Sequence, residues 1–385
     1  MTEETTEEKN GAYYQPSQRP SESDRPQTAP ASSPAATAFS NALSGVRISP
    51  YGIGVAALVL AYGTLFSWLS ILKYQSGHSY IWDLGIFDQV IWNTAQGHFF
   101  ETSIYGHGSY LGEHLSLILS AFAPLYIVWS DVRLLLVVQS FYMAAGAVPI
   151  YLLARRNLRS GTGALLLAVS FLLFPNIAYV NLFDFHPETL LVVLFPWAIY
   201  FLHEGRDRPF LIAAGLSLLV KEDVALLVFA LGLYAAFVKS RRCMGIGLAV
   251  LGLAWFAAAI YLVVPYFRGQ GYGFLDRYSH LGSSATEIVF NLVLSPMSTM
   301  RLLFAPEKLH YLSQLLSPVA FLPLISPTLA GIGLPILVGN LLSNFPLQYS
   351  IFHQYSISLG PIFFASSVTA ITRLSSWAKG FLCPE

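Results

Sequence analysis

The residues able to do chemistry in this chain gather in a few short stretches. Asp83 and Asp88 stand in the aromatic segment YIWDLGIFDQVIWN (80–93), and Glu113 and His114 directly precede an apolar segment. Asp184, His186 and Glu188 crowd into NLFDFHPETL. Lys221, Glu222 and Asp223 interrupt an otherwise continuous apolar run, SLLVKEDVALL, and Gln348, His353 and Tyr355 share NFPLQYSIFHQYS. Carboxylates and imidazoles exchange protons with a positioned hydroxyl, and a lysine or imidazolium holds an anion.

Each stretch has a plainer alternative. Asp83 sits where a helix would begin, so its side chain would serve equally as an N-cap. Asp88 lies about 140° around a helix from Asp83, so the two need not serve one site, and Asp88 alone reads as a surface carboxylate. Glu113 reads as a solvated loop residue; His114, against apolar sequence, less so. Asp184, His186 and Glu188 supply oxygen and imidazole ligands for a divalent metal, but without a regular ligand spacing they serve as well to orient a phosphate-bearing substrate or one another. The charges at 221–223 suit a polar turn, with Lys221 available to an anionic group. Tyr355 suits an interfacial belt, whereas His353 falls at the membrane boundary.

The elements that must position these groups are membrane helices. The chain is 55% hydrophobic and 11% charged, against about 25% charged in soluble proteins. Its formal net charge is zero, with no basic stripe interleaved with aromatics, so nucleic-acid binding has no electrostatic footprint. Cys243 and Cys383 fall beside basic segments and read as unpaired thiols. Residues 1–46 are acidic, then Pro/Ser/Ala-rich, the composition of a disordered cytoplasmic tail. No cleavable signal peptide is visible, and the first apolar run serves as a signal anchor.

Spans of about 17–25 apolar residues are expected near 51–72, 133–154, 161–181, 189–203, 209–220, 224–238, 245–264, 308–325, 327–344 and 353–371, about ten in all. Residues 115–129 are apolar but short, with Pro124 inside, so they read as re-entrant or interfacial. The basic loops at 155–159, 204–208 and 239–242 and the tail from Arg373 then share the cytoplasmic side, with both termini inside. The expected domains are the tail 1–46, a polytopic unit 47–372 and a short cytoplasmic tail 373–385. Every histidine except His203 then falls at the outer face. In the opening stretch Leu84, Phe87 and Ile91 recur at helical spacing while Gln89, Asn93 and Gln96 line another face, which predicts an amphipathic helix along the outer membrane surface.

No Walker loop, G-x-S-x-G elbow or H-E-x-x-H motif occurs, so hydrolase and ATPase readings lack support. WDLGIFDQVIWN, GEHLSLILSAFAPLY, QSFYMAAGAVPIYLLARRNL, DFHPETLL and KED, in that order over about residues 51–370, resemble a family of multi-pass predicted membrane proteins grouped with the GT-C glycosyltransferases. That resemblance implies an all-α integral membrane protein with juxtamembrane helices in its first outer loop. It also implies transfer of a sugar from a polyprenyl-phosphate donor to an envelope acceptor at the extracytoplasmic face. Asp83 matches the acidic position that acts as base or positions the acceptor, and Asp184 resembles the second acidic position. Leu84 follows Asp83 where related members have Glu, and HLSLILSAFAPLY stands where they have Lys-Pro-Pro-Leu, so His114 takes the lysine's place.

On this reading Asp83 and Asp184 are the catalytic candidates. Asp88, Gln89, His114, His186, Glu188, Lys221, Glu222, Asp223 and His353 are the substrate-binding ones. The partners are the lipid-linked donor, membrane lipid and an acceptor. No cofactor is required, because the donor carries its own activated bond, though Asp184, His186 and Glu188 leave room for a divalent metal. The competing reading is a transporter or flippase for a lipid-linked or anionic substrate, using the same groups as proton relay or substrate contacts; a third is a non-catalytic scaffold for envelope assembly.

Overall fold

The computed structural model describes residues 49–382. The expected disordered tail 1–46 and the last three residues, Cys383 among them, lie outside them, while the expected C-terminal tail from 373 continues the helix Leu359–Leu382 and Cys243 is exposed and free. The described chain is helical throughout, with one isolated bridge between Glu101 and Ser109 in place of any strand.

Four helices are long and apolar enough to cross a membrane: Pro50–Gln75, Arg133–Leu158, Arg242–Arg268 and Gln354–Ala378. A fifth crossing results if Gly161–Leu172 and Pro175–Phe183, bent by 42°, count as one. The bend has a local cause. Pro175 opens the second piece, and a residue before proline avoids the helical region, so Phe174 is extended (φ −62°, ψ 123°). Other expected spans fall on shorter helices, among them Leu191–Glu204, Asp207–Leu218, Val224–Leu233 and Leu334–Leu342. The expected span at 308–325 is broken: the helix Pro306–Leu316 gives way to 3-10 turns at Pro318 and Pro323, where proline removes backbone donors.

Glycines let two of these helices touch. A Cβ on Gly232 would meet the Ala249 nitrogen at 2.6 Å, and one on Gly252 would meet the Ala225 carbonyl oxygen at 2.7 Å. Small residues of this kind permit the close backbone approach that holds membrane helices together.

The segment after the first long helix packs into a second, smaller core. Leu84, Phe87, Val90 and Ile91 pack with Tyr110, Leu119, Phe122 and Phe185, so the expected amphipathic helix, Ile86–Ala95, turns its apolar face into protein rather than lipid. Residues 110–126 supply the apolar partner that the sequence pattern alone assigned to the bilayer. Ile81, Trp82 and Trp92 remain exposed. The segment 115–129 forms a 3-10 turn and the six-residue helix Ala123–Val128, too short to cross alone.

The segment Gly269–Phe304 follows the long helix Arg242–Arg268. Its two helices, Ala285–Leu294 and Pro296–Leu303, expose Val289, Phe290, Val293, Leu294, Met297 and Met300. These apolar side chains are left uncovered by the described residues.

Candidate functional site

The polar residues of the separate stretches meet on one end of the helix bundle. At its centre is the turn 184–190, which Gln139 of the helix Arg133–Ala145 fixes from inside. The Gln139 amide donates to the Asp184 carbonyl at 2.9 Å, while its oxygen accepts from the His186 N–H at 2.9 Å and from Thr189 Oγ1 at 3.1 Å. Pro187 then starts a 3-10 turn, with His186 before it extended, as a residue preceding proline should be.

This turn sends its three ionisable side chains to three different partners. Asp184 is almost wholly buried and accepts from Ser79 Oγ at 2.8 Å and the Tyr80 N–H at 3.2 Å, with Lys73 Nζ at 3.1 Å. Lys73 also donates to the Phe183 carbonyl. His186 reaches Asp83, Nε2 to Oδ1, at 3.1 Å, and Glu188 pairs with Lys221 at 2.9 Å. The three therefore do not form the metal-ligand set that their crowding suggested, and no group of His, Cys, Asp and Glu among the described residues has that geometry. Asp184 is an anchor between the end of the first long helix and the turn.

Asp83 is not an N-cap. The residues 81–85 form a π-turn ahead of the helix Ile86–Ala95, capped at Tyr80 without a side-chain bond. A π-turn inserts an extra residue into the helical repeat. Here the Asp83 carboxylate goes to His186, and its side chain stays 24% exposed. Phe183 stacks on the His186 ring at 5.3 Å and meets His353 edge-on at 4.8 Å. Burial holds the His353 imidazole below its ordinary value, opposed by Asp83 and helped by His186. Asp83, His186 and His353 thus form one patch.

Asp88 points elsewhere, as helix geometry required. It accepts from Tyr126 at 2.6 Å and borders an open groove with Trp92, Asp131 and Arg133. Burial first, then Asp131, raises its carboxyl against the lowering effect of that hydrogen bond. Gln89 is spent on the loop: its oxygen accepts from Thr102 Oγ1 and the Ser103 N–H, and its amide donates to Ser103 Oγ.

The remaining charges surround a cavity of about 160 Å³ lined by His114, Lys221, Asp223, Tyr272, Phe274, Arg277 and Tyr355, with apolar walls at Leu226, Phe256 and Ile336. That space suits one ring or one phosphate, since a cavity of about 150 Å³ accepts benzene. Lys221 and Glu188 are both buried. Burial alone would lower the Lys221 ammonium, but Glu188, Asp223 and Glu222 outweigh it and raise it. Burial would likewise raise Glu188, yet Lys221 and His186 hold it below its ordinary value.

Glu222 is fully buried and uses both oxygens: Oε1 accepts from His114 Nδ1 and from Tyr272 Oη, each at 2.7 Å, and Oε2 from the Leu115 N–H at 3.0 Å. Burial opposes its charge, but His114, Lys221 and Tyr272 together bring its carboxyl down to about 2. Asp223 goes the other way. Burial, with Glu222 and Glu188 adding to it, raises the Asp223 carboxyl against the pull of Lys221, and its Oδ1 has no hydrogen-bond partner among the described residues. Glu113 is held apart from the cavity by His107 and Arg268, each at 2.9 Å.

Sequence reasoning missed Arg277. Its guanidinium lies among three rings, 4.7 Å from Phe274, 4.6 Å from Phe345 and 5.0 Å from Tyr355. It donates to Gln348 at 3.2 Å and Tyr355 Oη at 3.3 Å. No carboxylate pairs with it among the described residues. An arginine desolvated by aromatic rings, without a counter-ion and facing a cavity, is a ready anion partner. RYSH, in a long outer loop, gave no pattern to single it out.

The family model for predicted membrane proteins designated DUF2079 matches residues 78–382. The chain belongs to the DUF2079 family. The match takes in every site group described here except Lys73. No curated protein matches this DUF2079 chain, so a function must be argued from the cavity.

Proposed function

We propose that this DUF2079 protein is a GT-C-type membrane glycosyltransferase that moves a sugar from a polyprenyl-phosphate donor to an envelope acceptor at the extracytoplasmic face. In that reading the shorter helices complete about ten crossings, both termini are cytoplasmic, and the cavity opens to the outer leaflet. The observation that carries it is Arg277: a guanidinium without a carboxylate partner among the described residues, sharing the Tyr355 ring and an apolar-walled cavity with the Lys221 ammonium. A phosphate joined to a prenyl chain asks for that combination, charge-assisted donors for the oxygens and apolar surface for the first isoprene.

Transfer forms a bond from the acceptor oxygen to the anomeric carbon and breaks the bond from that carbon to the phosphate oxygen. The departing electron pair stays on the phosphate, where Arg277 and Lys221 stabilise the developing charge. Asp83, oriented by His186 and part-exposed on the patch with His353, holds the acceptor outside this cavity, away from its reacting hydroxyl. Asp184 serves this arrangement only by holding the turn.

The test compares polyprenyl-phosphate sugars and envelope glycans in cells carrying wild type, Asp83→Ala or Arg277→Gln at equal protein levels. Sugar-transfer activity predicts that a polyprenyl-phosphate sugar accumulates and one glycan loses a residue in both variants. Unchanged pools in both would sink the reading.

A further inference from the structure

We infer that the proton of the attacking hydroxyl is taken by His114 Nε2, with Glu222 as the residue that positions the ring. This deepens the sugar-transfer reading and rests on it. The geometry points there because Glu222 determines which ring nitrogen is free. An ionised carboxylate only accepts hydrogen bonds, and Glu222 also accepts from the Tyr272 hydroxyl and the Leu115 N–H, with the Lys221 ammonium favouring its charge, so the nitrogen facing it at 2.7 Å, Nδ1, carries a hydrogen. In the neutral ring the lone pair is then on Nε2. His114 lines the cavity, and no hydrogen bond to Nε2 is formed among the described residues.

The ring cannot turn away. Its Nδ1 is tied to Glu222, whose other oxygen holds the adjoining Leu115 N–H, and its face stacks on Phe274 at 4.4 Å and 16°. The same Phe274 ring lies 4.7 Å from the Arg277 guanidinium. A base and an anion holder therefore border one aromatic ring and line one cavity, the base for the hydroxyl and the guanidinium for the departing phosphate. A carboxylate behind an imidazole that faces a reacting hydroxyl is a recurrent way to fix tautomer and direction. Asp83, by contrast, lines no part of this cavity.

The step balances. Nε2 gains the hydroxyl proton as the oxygen's electron pair forms the bond to the anomeric carbon. The bond from that carbon to the phosphate oxygen breaks, and its pair leaves with the polyprenyl phosphate. The imidazolium proton then passes to water. The charged and titratable groups around the ring are Glu222, Lys221 and Asp223 on the 221–223 turn, Glu188 from the 184–190 turn, Tyr110 on the ring's own segment, and Tyr272 and Arg277 from the segment Gly269–Phe304. Glu113, with His107 and Arg268, adjoins it in sequence.

The experiment uses the full chain in liposomes with undecaprenyl-phosphate glucose and undecaprenyl-phosphate mannose as donors and water as acceptor, reading free sugar across pH 5–9. His114→Asn is expected to lower kcat by about 10²–10⁴, with KM little changed and the acid limb of the pH profile abolished. Undecaprenyl phosphate should still bind this variant, which also reports that it is folded. In wild type, diethylpyrocarbonate should inactivate in step with modification of His114, located by mass spectrometry, and undecaprenyl phosphate should protect. An active wild type whose His114→Asn variant keeps kcat and the acid limb overturns this inference alone, as does full activity with His114 modified. A wild type that releases sugar from neither donor and leaves cellular pools unchanged overturns the sugar-transfer reading and this inference with it.

Discussion

Lys73 and Asp184 meet at 3.1 Å and, with the Lys73 hydrogen bond to the neighbouring Phe183 carbonyl, join the end of the first long helix to the turn bearing His186 and Glu188. The carboxylate is buried and the ammonium part-exposed, so the two sides of the pair differ in what their loss does. Removing Lys73 leaves a buried negative charge supported only by Ser79 and the Tyr80 N–H. Lys73→Met should cost about 3–5 kcal/mol, and Lys73→Met with Asp184→Asn should recover much of it, because the uncompensated charge goes too. Unfolding of the purified variants in one detergent checks this. An Asp184→Asn protein that is as stable as wild type but inactive would return Asp184 to the substrate.

Arg277 should govern affinity for the anion. Arg277→Gln removes charge-assisted hydrogen bonds of about 1.5–3 kcal/mol, so binding of undecaprenyl phosphate should weaken by about 10–150-fold. Arg277→Lys should fail to restore it, since a compact ammonium does not replace a planar group stacked among Phe274, Phe345 and Tyr355. Titration of the lipid into liposome-reconstituted protein measures both.

Acid stability should report on Glu222. Its carboxyl lies at about 2 in the folded chain against an ordinary 4.5. A group depressed by folding contributes stability that is present above its unfolded value and lost as pH falls through the folded one. The melting temperature of wild type should therefore decline from about pH 4.5 downward, and Glu222→Gln should be less stable at pH 7 with a shallower acid decline. Asp223, raised by folding, has the opposite sign, so Asp223→Asn should be at least as stable as wild type at pH 7. A Glu222→Gln melting curve parallel to wild type across this range would contradict the assignment.

The helices Ala285–Leu294 and Pro296–Leu303 should rest in lipid. A bimane fluorophore on a cysteine replacing Val293 should be quenched by lipids brominated or spin-labelled in the acyl chain, and Phe290→Glu should reduce that quenching. Equal quenching by a water-soluble agent would place the segment in solvent.

The membrane class, the all-helical fold and the short polar stretches that carry the site groups were legible because hydropathy and charge are local signals. Helix continuity was not. Pro175, Pro318 and Pro323 sit in apolar runs that hydropathy alone joins. Nor was the destination of the apolar face of Ile86–Ala95, because lipid and the segment 110–126 are equally good partners for Phe87 and Ile91. The DFHPETL cluster looked like a single ligand set, yet a 3-10 turn after Pro187 sends neighbours in sequence to Lys73, Asp83 and Lys221. Gln139 and Arg277 were hidden for opposite reasons. One is a lone polar residue in an apolar helix, and the other a common charge in a loop whose aromatic partners come from 274, 345 and 355.

The segment Gly269–Phe304 carries Tyr272, Phe274 and Arg277 on the chain that continues directly into Ala285–Leu294 and Pro296–Leu303, where Val289, Phe290, Val293, Met297 and Met300 lie uncovered by the described residues. With those helices in lipid, as proposed, the wall of the cavity is moored to the bilayer as much as to its neighbours. Leaflet thickness and acyl composition become variables of the site itself, and two detergents that preserve the same fold need not preserve the same chamber.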